Sequence, residues 1–197
     1  MEKKKNDFIA QGSILAVASI LVRVMGMIYR IPMTAIIGDK GNGFYSYAYS
    51  VYTILLLLSS YSLPLAVSKM VSAKAQLGQW RNVKRVFICA IAFAIGIGTT
   101  FGLIVLIGAQ FFTRVFFHSE LAAIALRFMA PTILIMALLG VFRGFFQGLQ
   151  NTLPTAVSQI VEGLINAIMS VVFAYFLFDF GHGMDVASGT TDLGYAW

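Results

Sequence analysis

Apolar residues arrive in five long runs, with polar and basic residues gathered between them. The runs are Phe8 to Tyr29, Phe44 to Val67, Val86 to Phe112, Leu121 to Phe146 and Pro154 to Phe178. A helix that crosses about 30 Å of hydrocarbon needs about 20 mostly apolar residues, so each run predicts one membrane span. IPMTAIIGDKGNG joins the first two spans, and its Pro32 and glycines mark a break. SKMVSAKAQLGQWRNVKR joins the second and third; it is basic and amphipathic and predicts a short helix on the membrane surface. FHSE and QNTLP form the next two connections. Pro64 in the second run removes a backbone donor and predicts a kink or a break in the helix, either a hinge near a cavity or a tolerated kink.

Composition agrees with the pattern. Of 197 residues, 59% are apolar and 11% charged, against roughly 25% charged in soluble domains, and mean hydropathy is +0.84. The fold class expected is an all-α polytopic membrane protein of about five transmembrane helices. Residues 1–7 form a basic N-terminus, 8–178 the five-helix bundle, and 179–197 an outer loop. ASGTTDLGYAW reads as the lead into a missing sixth helix, so the chain reads as an N-terminal piece of a longer protein. MEKKKNDF lacks the short apolar core and cleavage site of a signal peptide.

Charge refines the orientation rather than the class. A net charge of +6 would point to nucleic acid in a soluble domain; here the cations border the spans, and no nucleic-acid partner is expected. Lys3, Lys4, Lys5, Lys69, Lys74, Arg81, Lys84, Arg85 and Arg143 fall on one side, and Arg30, Lys40, Arg114 and Arg127 on the other. That bias predicts a cytoplasmic N-terminus in the cell membrane.

Ionisable groups inside a span are costly and mark function or pairing. Arg23 lies about 22 Å along the first span at 1.5 Å per residue, too deep to snorkel with ease. Arg30 follows seven residues later on roughly the same face. Two guanidiniums on one face suit a phosphate or diphosphate, whose oxygens their forks match. Glu162 is the carboxylate of the fifth span, within a polar stripe of Ser158, Glu162, Asn166 and Ser170, with Gln159 beside it. It is a candidate for a coupling cation or proton, or for an ion pair with an arginine. Arg143, at the end of the fourth span, sits in FRGFFQGLQNTLPTA with Gly144, Gln147 and Gly148. It is either a topology anchor or a contact for an entering headgroup, and the glycines allow close helix approach. Gly98 and Gly102 form a small-xxx-small packing pair.

Other chemistry is missing. No phosphate-cradling glycine loop, serine elbow or HExxH pattern occurs. His118 and His182 have no partners at ligand spacing, and Cys89 is the single cysteine. No cofactor, metal or enzymatic activity is expected; a transporter is.

RVMGMIYRIPMTAIIGDKGNGFYSYAYSVY, LPLAVSKMVSA and FRGFFQGLQNTLPTAVSQIVEGLINA together resemble the bacterial polysaccharide and lipid II flippases. The nearest group is the stage V sporulation protein B-like one, within the multidrug/oligosaccharidyl-lipid/polysaccharide exporter superfamily. The resemblance implies a two-lobed transporter around a central cavity, with this chain as most of the N-terminal lobe and the C-terminal lobe as its partner. It implies translocation of undecaprenyl-diphosphate-linked sugars (cell-wall, spore-cortex or capsule precursors) by alternating access. Arg23 falls on a position implied to hold the diphosphate; Arg30 is offset by about one residue from its counterpart. The second span carries no charge between Phe44 and Val67, where Gram-negative lipid II flippases have a cavity arginine. The substrate-binding candidates are therefore Arg23, Arg30, Arg143, Gln147 and Asn166, with Glu162 for ion coupling. Two other readings are a cation-coupled drug exporter of the same superfamily, which would favour cavity carboxylates, and a non-transporting membrane scaffold, which needs no deep arginine.

Overall fold

Backbone amides find no water inside a bilayer, so a crossing segment closes its hydrogen bonds within a helix. The chain does so in α1 (Glu2–Ser60), α2 (Leu63–Gln76), α3 (Trp80–Phe117), α4 (Ala122–Gly148) and α5 (Leu153–Ser188). The structure is a computed structural model describing the backbone of residues 2–60, 62–117 and 122–188, and the side chains of 12–39, 41–43, 45–57, 62–116 and 122–176. Among the described residues there is no strand. Among the described residues, four segments are long and apolar enough to cross a membrane: Gly12–Asp39, Trp80–Phe116, Ala122–Gly148 and Leu153–Phe176. The protein is an all-α polytopic membrane protein.

The first connection differs from the expected open loop. Pro32 is accommodated within α1, and the helix is interrupted only at Gly38 (φ 73°, ψ −179°). That conformation is essentially restricted to glycine. Two arms result, residues 2–37 and 39–60. The predicted second span also differs, because helix ends at Ser60 and α2 starts at Leu63 with Pro64 in its first turn. There the missing N–H has no helical partner to lose. The predicted surface helix is in fact split. Its first half belongs to α2, which buries Leu63, Val67 and Val71, and its second half opens α3. At about 1.5 Å per residue, α3 outruns the hydrocarbon, and Trp80, Arg81, Lys84 and Arg85 are exposed on its first turns. The outer loop expected from residue 179 is helical as far as Ser188. FHSE, apart from Phe117, and residues 189–197 lie outside the described residues.

Two turns stop helices by the same geometry. After α2, Gly78 N–H donates to Ala75 O and Gln79 N–H to Lys74 O, both at 3.0 Å. After α4, Gln150 N–H donates to Gln147 O (3.0 Å) and Asn151 N–H to Phe146 O (3.1 Å). Each is a Schellman stop, which needs a left-handed residue; Gly78 (φ 67°) fills one and Gln150 (φ 60°) the other.

Helix α4 is the hub of the packing. One core joins Ala48, Val51 and Tyr52 of the second arm to Val105 and Ala109 of α3 and to Ala123, Leu126, Ala130 and Ile133 of α4. A second joins Leu63, Val67 and Val71 of α2 to Val83, Ala90 and Ala94 of α3 and to Ala137 and Val141 of α4. Small residues set these distances, as dispersion between close backbones replaces the hydrophobic effect in lipid. A methyl on Gly98 would meet Leu134 Cα at 2.9 Å, and one on Gly102 Ala130 O at 3.3 Å. At Gly144 it would meet Pro64 O at 2.5 Å and Pro64 Cα at 2.9 Å, and at Gly148 Ser68 O at 2.8 Å. Gly144→Ala therefore drives α2 off α4. Such overpacking costs about 1–3 kcal/mol, and thermal unfolding of the full-length protein in detergent should show a lowered midpoint for Gly144→Ala. An unchanged midpoint would mean the helices are not in backbone contact.

Candidate functional site

A cavity of about 320 Å³ lies where the first arm of α1 meets α4 and α5. Helical periodicity assembles it. Ser19, Val22 and Arg23 stand at i, i+3 and i+4 on the first arm, and Gln159, Glu162, Gly163 and Asn166 at i, i+3, i+4 and i+7 on α5, so each set shares one helix face. Arg143 enters from α4. Gly163 admits the first arm closely: a methyl there would approach Met25 Cε to 3.2 Å and Val22 Cγ1 to 3.3 Å.

Arg143 is the most enclosed charge of the site. Its Nη2 donates to Glu162 Oε2 at 2.5 Å, with the two side chains 19% and 38% exposed. Its Nε donates to Ser158 Oγ at 3.3 Å, and Ser158 Oγ donates onward to Thr155 O at 3.1 Å. Two of the guanidinium nitrogens are thus engaged by α5, a polar tie between helices that otherwise touch only lightly. On the far side, Ser170 Oγ donates to Asn166 Oδ1 (3.0 Å) and Ser19 Oγ to Leu15 O (2.8 Å). Gln159 Oε1 is buried without a hydrogen-bond donor, as is Thr155 Oγ1. Arg23 is exposed and makes no hydrogen bond or ion pair among the described residues.

The structure therefore brings Arg23, Arg143, Glu162 and Asn166 into one cavity, from three helices. It leaves Arg30 and Gln147 out. Arg30 is about 10 Å further along the first arm at 1.5 Å per residue, and exposed. Gln147 is one turn beyond Arg143, half-buried, with its carbonyl accepting from Gln150. Ser19 and Gly163 were not singled out in the sequence, although each stands one helical turn from an ionisable or polar candidate. Among the described residues no cluster of metal-ligating side chains occurs. Two guanidiniums, one carboxylate and two amides offer an anion site with hydrogen-bonding groups on one flank.

Replacing Arg143 with Ala leaves Glu162 as an unpaired carboxylate in the bundle; a partner stranded in this way costs about 1–3 kcal/mol. The double replacement with Glu162→Ala should recover part of that loss, and a double-mutant cycle on unfolding of the full-length protein measures it. Strict additivity would show that the pair is not energetically coupled.

The family model described as polysaccharide biosynthesis protein matches residues 8–182. The chain is 26% identical over 185 residues to the lipid II flippase MurJ of Bacillus subtilis (strain 168), covering 89% of this chain and 34% of that protein. It is 26% identical over 174 residues to stage V sporulation protein B of the same organism, covering 88% of this chain and 34% of the relative. It is 25% identical over 191 residues to the uncharacterized membrane protein YabM, again from Bacillus subtilis, covering 96% and 35%. The chain thus spans about a third of the length of these relatives. No solved structure matches it significantly.

Proposed function

We propose that this chain, which belongs to the polysaccharide biosynthesis protein family, forms one wall of a flippase path for undecaprenyl-diphosphate-linked oligosaccharide. The observation that carries this reading is the convergence of Arg23 and Arg143 on one cavity in an otherwise apolar bundle. A diphosphate leaving the headgroup region needs cations to replace its hydration, and guanidiniums bind phosphate oxygens in pairs. Arg23 supplies the unpaired charge, Arg143 the second, and the Asn166 amide a donor and acceptor for the attached sugar. Arg30, toward the other end of the first arm, takes part in passage into or out of the cavity, and Gln147 extends the polar lining beyond Arg143. With a cytoplasmic N-terminus the headgroup enters from the cytoplasmic leaflet, and alternating access against a second lobe completes the path. The similarity to a lipid II flippase and to a sporulation protein supports a cell-wall or spore-cortex precursor.

A drug exporter would need a carboxylate free to meet a cation, whereas Glu162 is engaged by Arg143. A scaffold would have no use for the unpaired Arg23. In proteoliposomes carrying the full-length protein and a fluorescent undecaprenyl-diphosphate-linked sugar, Arg23→Ala should slow translocation by about 10–100-fold, the worth of one charged hydrogen bond of about 1.5–3 kcal/mol. Arg23→Lys should retain part of the rate, Arg143→Ala should lose it at unchanged membrane levels, and Arg30→Ala should lose less than either. Full translocation by Arg23→Ala would end the diphosphate reading.

A further inference from the structure

We propose that Tyr45, Tyr49 and Tyr52 of the second arm form a carbohydrate subsite, an aromatic wall on which the sugar joined to the diphosphate lies. The inference rests on the reading of the cavity as a diphosphate site.

The chain doubles back at Gly38. Along a straight helix, Tyr45 would stand about 22 Å from Arg30. It lies instead within electrostatic reach of Arg30 and Tyr29 of the first arm. Two turns further on, the Tyr52 phenol is within electrostatic reach of Glu162 of α5. It accepts a hydrogen bond from Thr132 Oγ1 of α4 at 3.2 Å. The three tyrosines therefore run about 10 Å along the arm at 1.5 Å per residue, from the level of Arg30 to the edge of the cavity. Tyrosines of an interfacial belt keep to one depth, at the headgroups; these lead inward.

Spacing at i, i+4 and i+7 puts the rings on one helix face. Those of Tyr45 and Tyr49 are nearly parallel, with centroids 5.7 Å apart and planes 19° apart. The Tyr52 centroid follows 6.1 Å from that of Tyr49. Tyr52 is 7% exposed and set in the core with Ala48 and Val51, whereas Tyr49 is 48% exposed. One end of the row is thus fixed, and the middle presents open ring. Ser50 and Thr53 stand next to it, both exposed. Each donates its proton to its own helix, Ser50 Oγ to Ser46 O at 2.8 Å and Thr53 Oγ1 to Tyr49 O at 2.7 Å. Their oxygens keep lone pairs for an outside donor. Such a face matches acyl chains poorly and a polar passage well.

Sugar chemistry fits it. A pyranose carries C–H groups on one side and hydroxyls around its rim. Polarised C–H bonds meet the negative face of an aromatic ring, and rim hydroxyls donate to the Ser50 and Thr53 oxygens. A cationic ligand would also suit aromatic rings, but Arg30 at one end of the row and the cavity arginines at the other oppose it. Glu162 lines the same cavity as Arg23 and Arg143. A sugar following the diphosphate therefore arrives at the Tyr52 end, and Tyr49 is the first open ring it meets.

The test compares two probes on full-length protein in nanodiscs: undecaprenyl diphosphate alone, and the same lipid bearing one N-acetylglucosamine. Wild type should bind the sugar-bearing lipid more tightly, and the ratio of the two Kd values is the readout. Tyr49→Leu keeps apolar bulk and removes the ring; it should lower that ratio by about 2–10-fold. Tyr49→Phe keeps the ring and should keep most of the ratio, which guards against misfolding of the Leu variant. Arg23→Ala should weaken both probes alike. A ratio near one in wild type, or one that Tyr49→Leu does not change, would overturn the subsite, and weakening of both probes in Arg23→Ala would then leave the diphosphate site standing. Equal losses in Tyr49→Phe and Tyr49→Leu would overturn stacking on the ring. Bare lipid bound as well by Arg23→Ala as by wild type would overturn the diphosphate site and the subsite with it.

Discussion

Charge in hydrocarbon is the constraint on which the rest of this bundle turns. A guanidinium inside a bilayer persists when it has an anionic partner, an aqueous cavity or a route to the surface. Arg143 has the first: Glu162 and Ser158 hold it from the neighbouring helix. Because α4 and α5 share little apolar contact, this polar tie does for them what the two apolar cores do for the second arm, α2, α3 and α4. Arg23 lies on the wall of the cavity that the pair also lines. The site and the packing are one arrangement rather than a site set upon a scaffold.

Much of the fold was legible in the sequence because the bilayer imposes a length as well as a period. Runs of apolar residues gave the helices, and Gly98 and Gly102 gave a packing face that meets α4. What misled was local punctuation. Pro32 with Gly38, Gly41 and Gly43 has the chemistry of a loop, yet one torsional break suffices and the remaining residues keep helical hydrogen bonds. Pro64 read as a kink or a break inside one span, and it stands at a break, where its missing donor makes it a natural start for α2. Past Phe178, helix continues through DFGHGMDVAS, because polarity alone does not end a helix.

The site was legible in part. Ser158, Glu162, Asn166 and Ser170 announced a non-lipid face through their spacing, and Arg23 through its depth. That Glu162 would meet Arg143 was one alternative among several, since pairing across helices depends on rotations that no single helix records. Arg30 shares a sequence face with Arg23 but lies beyond the cavity, because seven residues of rise outweigh a matching azimuth. Ser19 and Gly163 carry no chemical signal of their own. Gly163 matters for what it omits, bulk where the first arm meets α5, and Ser19 for its place on the cavity wall; both become visible only when the helices are seen together.

Gly38 gives the bundle a joint. The first arm, bearing Arg23, leans on α5 through Val22, Met25 and Gly163, while the second arm is locked into the core with α3 and α4. Two torsions at a residue without a side chain connect these bodies, and the cavity lies across the seam between them. A small rotation there is magnified by lever length: Arg23 lies fifteen residues from the pivot, about 22 Å along the arm at 1.5 Å per residue, so ten degrees carries it about 4 Å. The spacing between the two guanidiniums is thus governed by a backbone angle far from either, and the width of the cavity is a mechanical property of the joint as much as a chemical property of its lining.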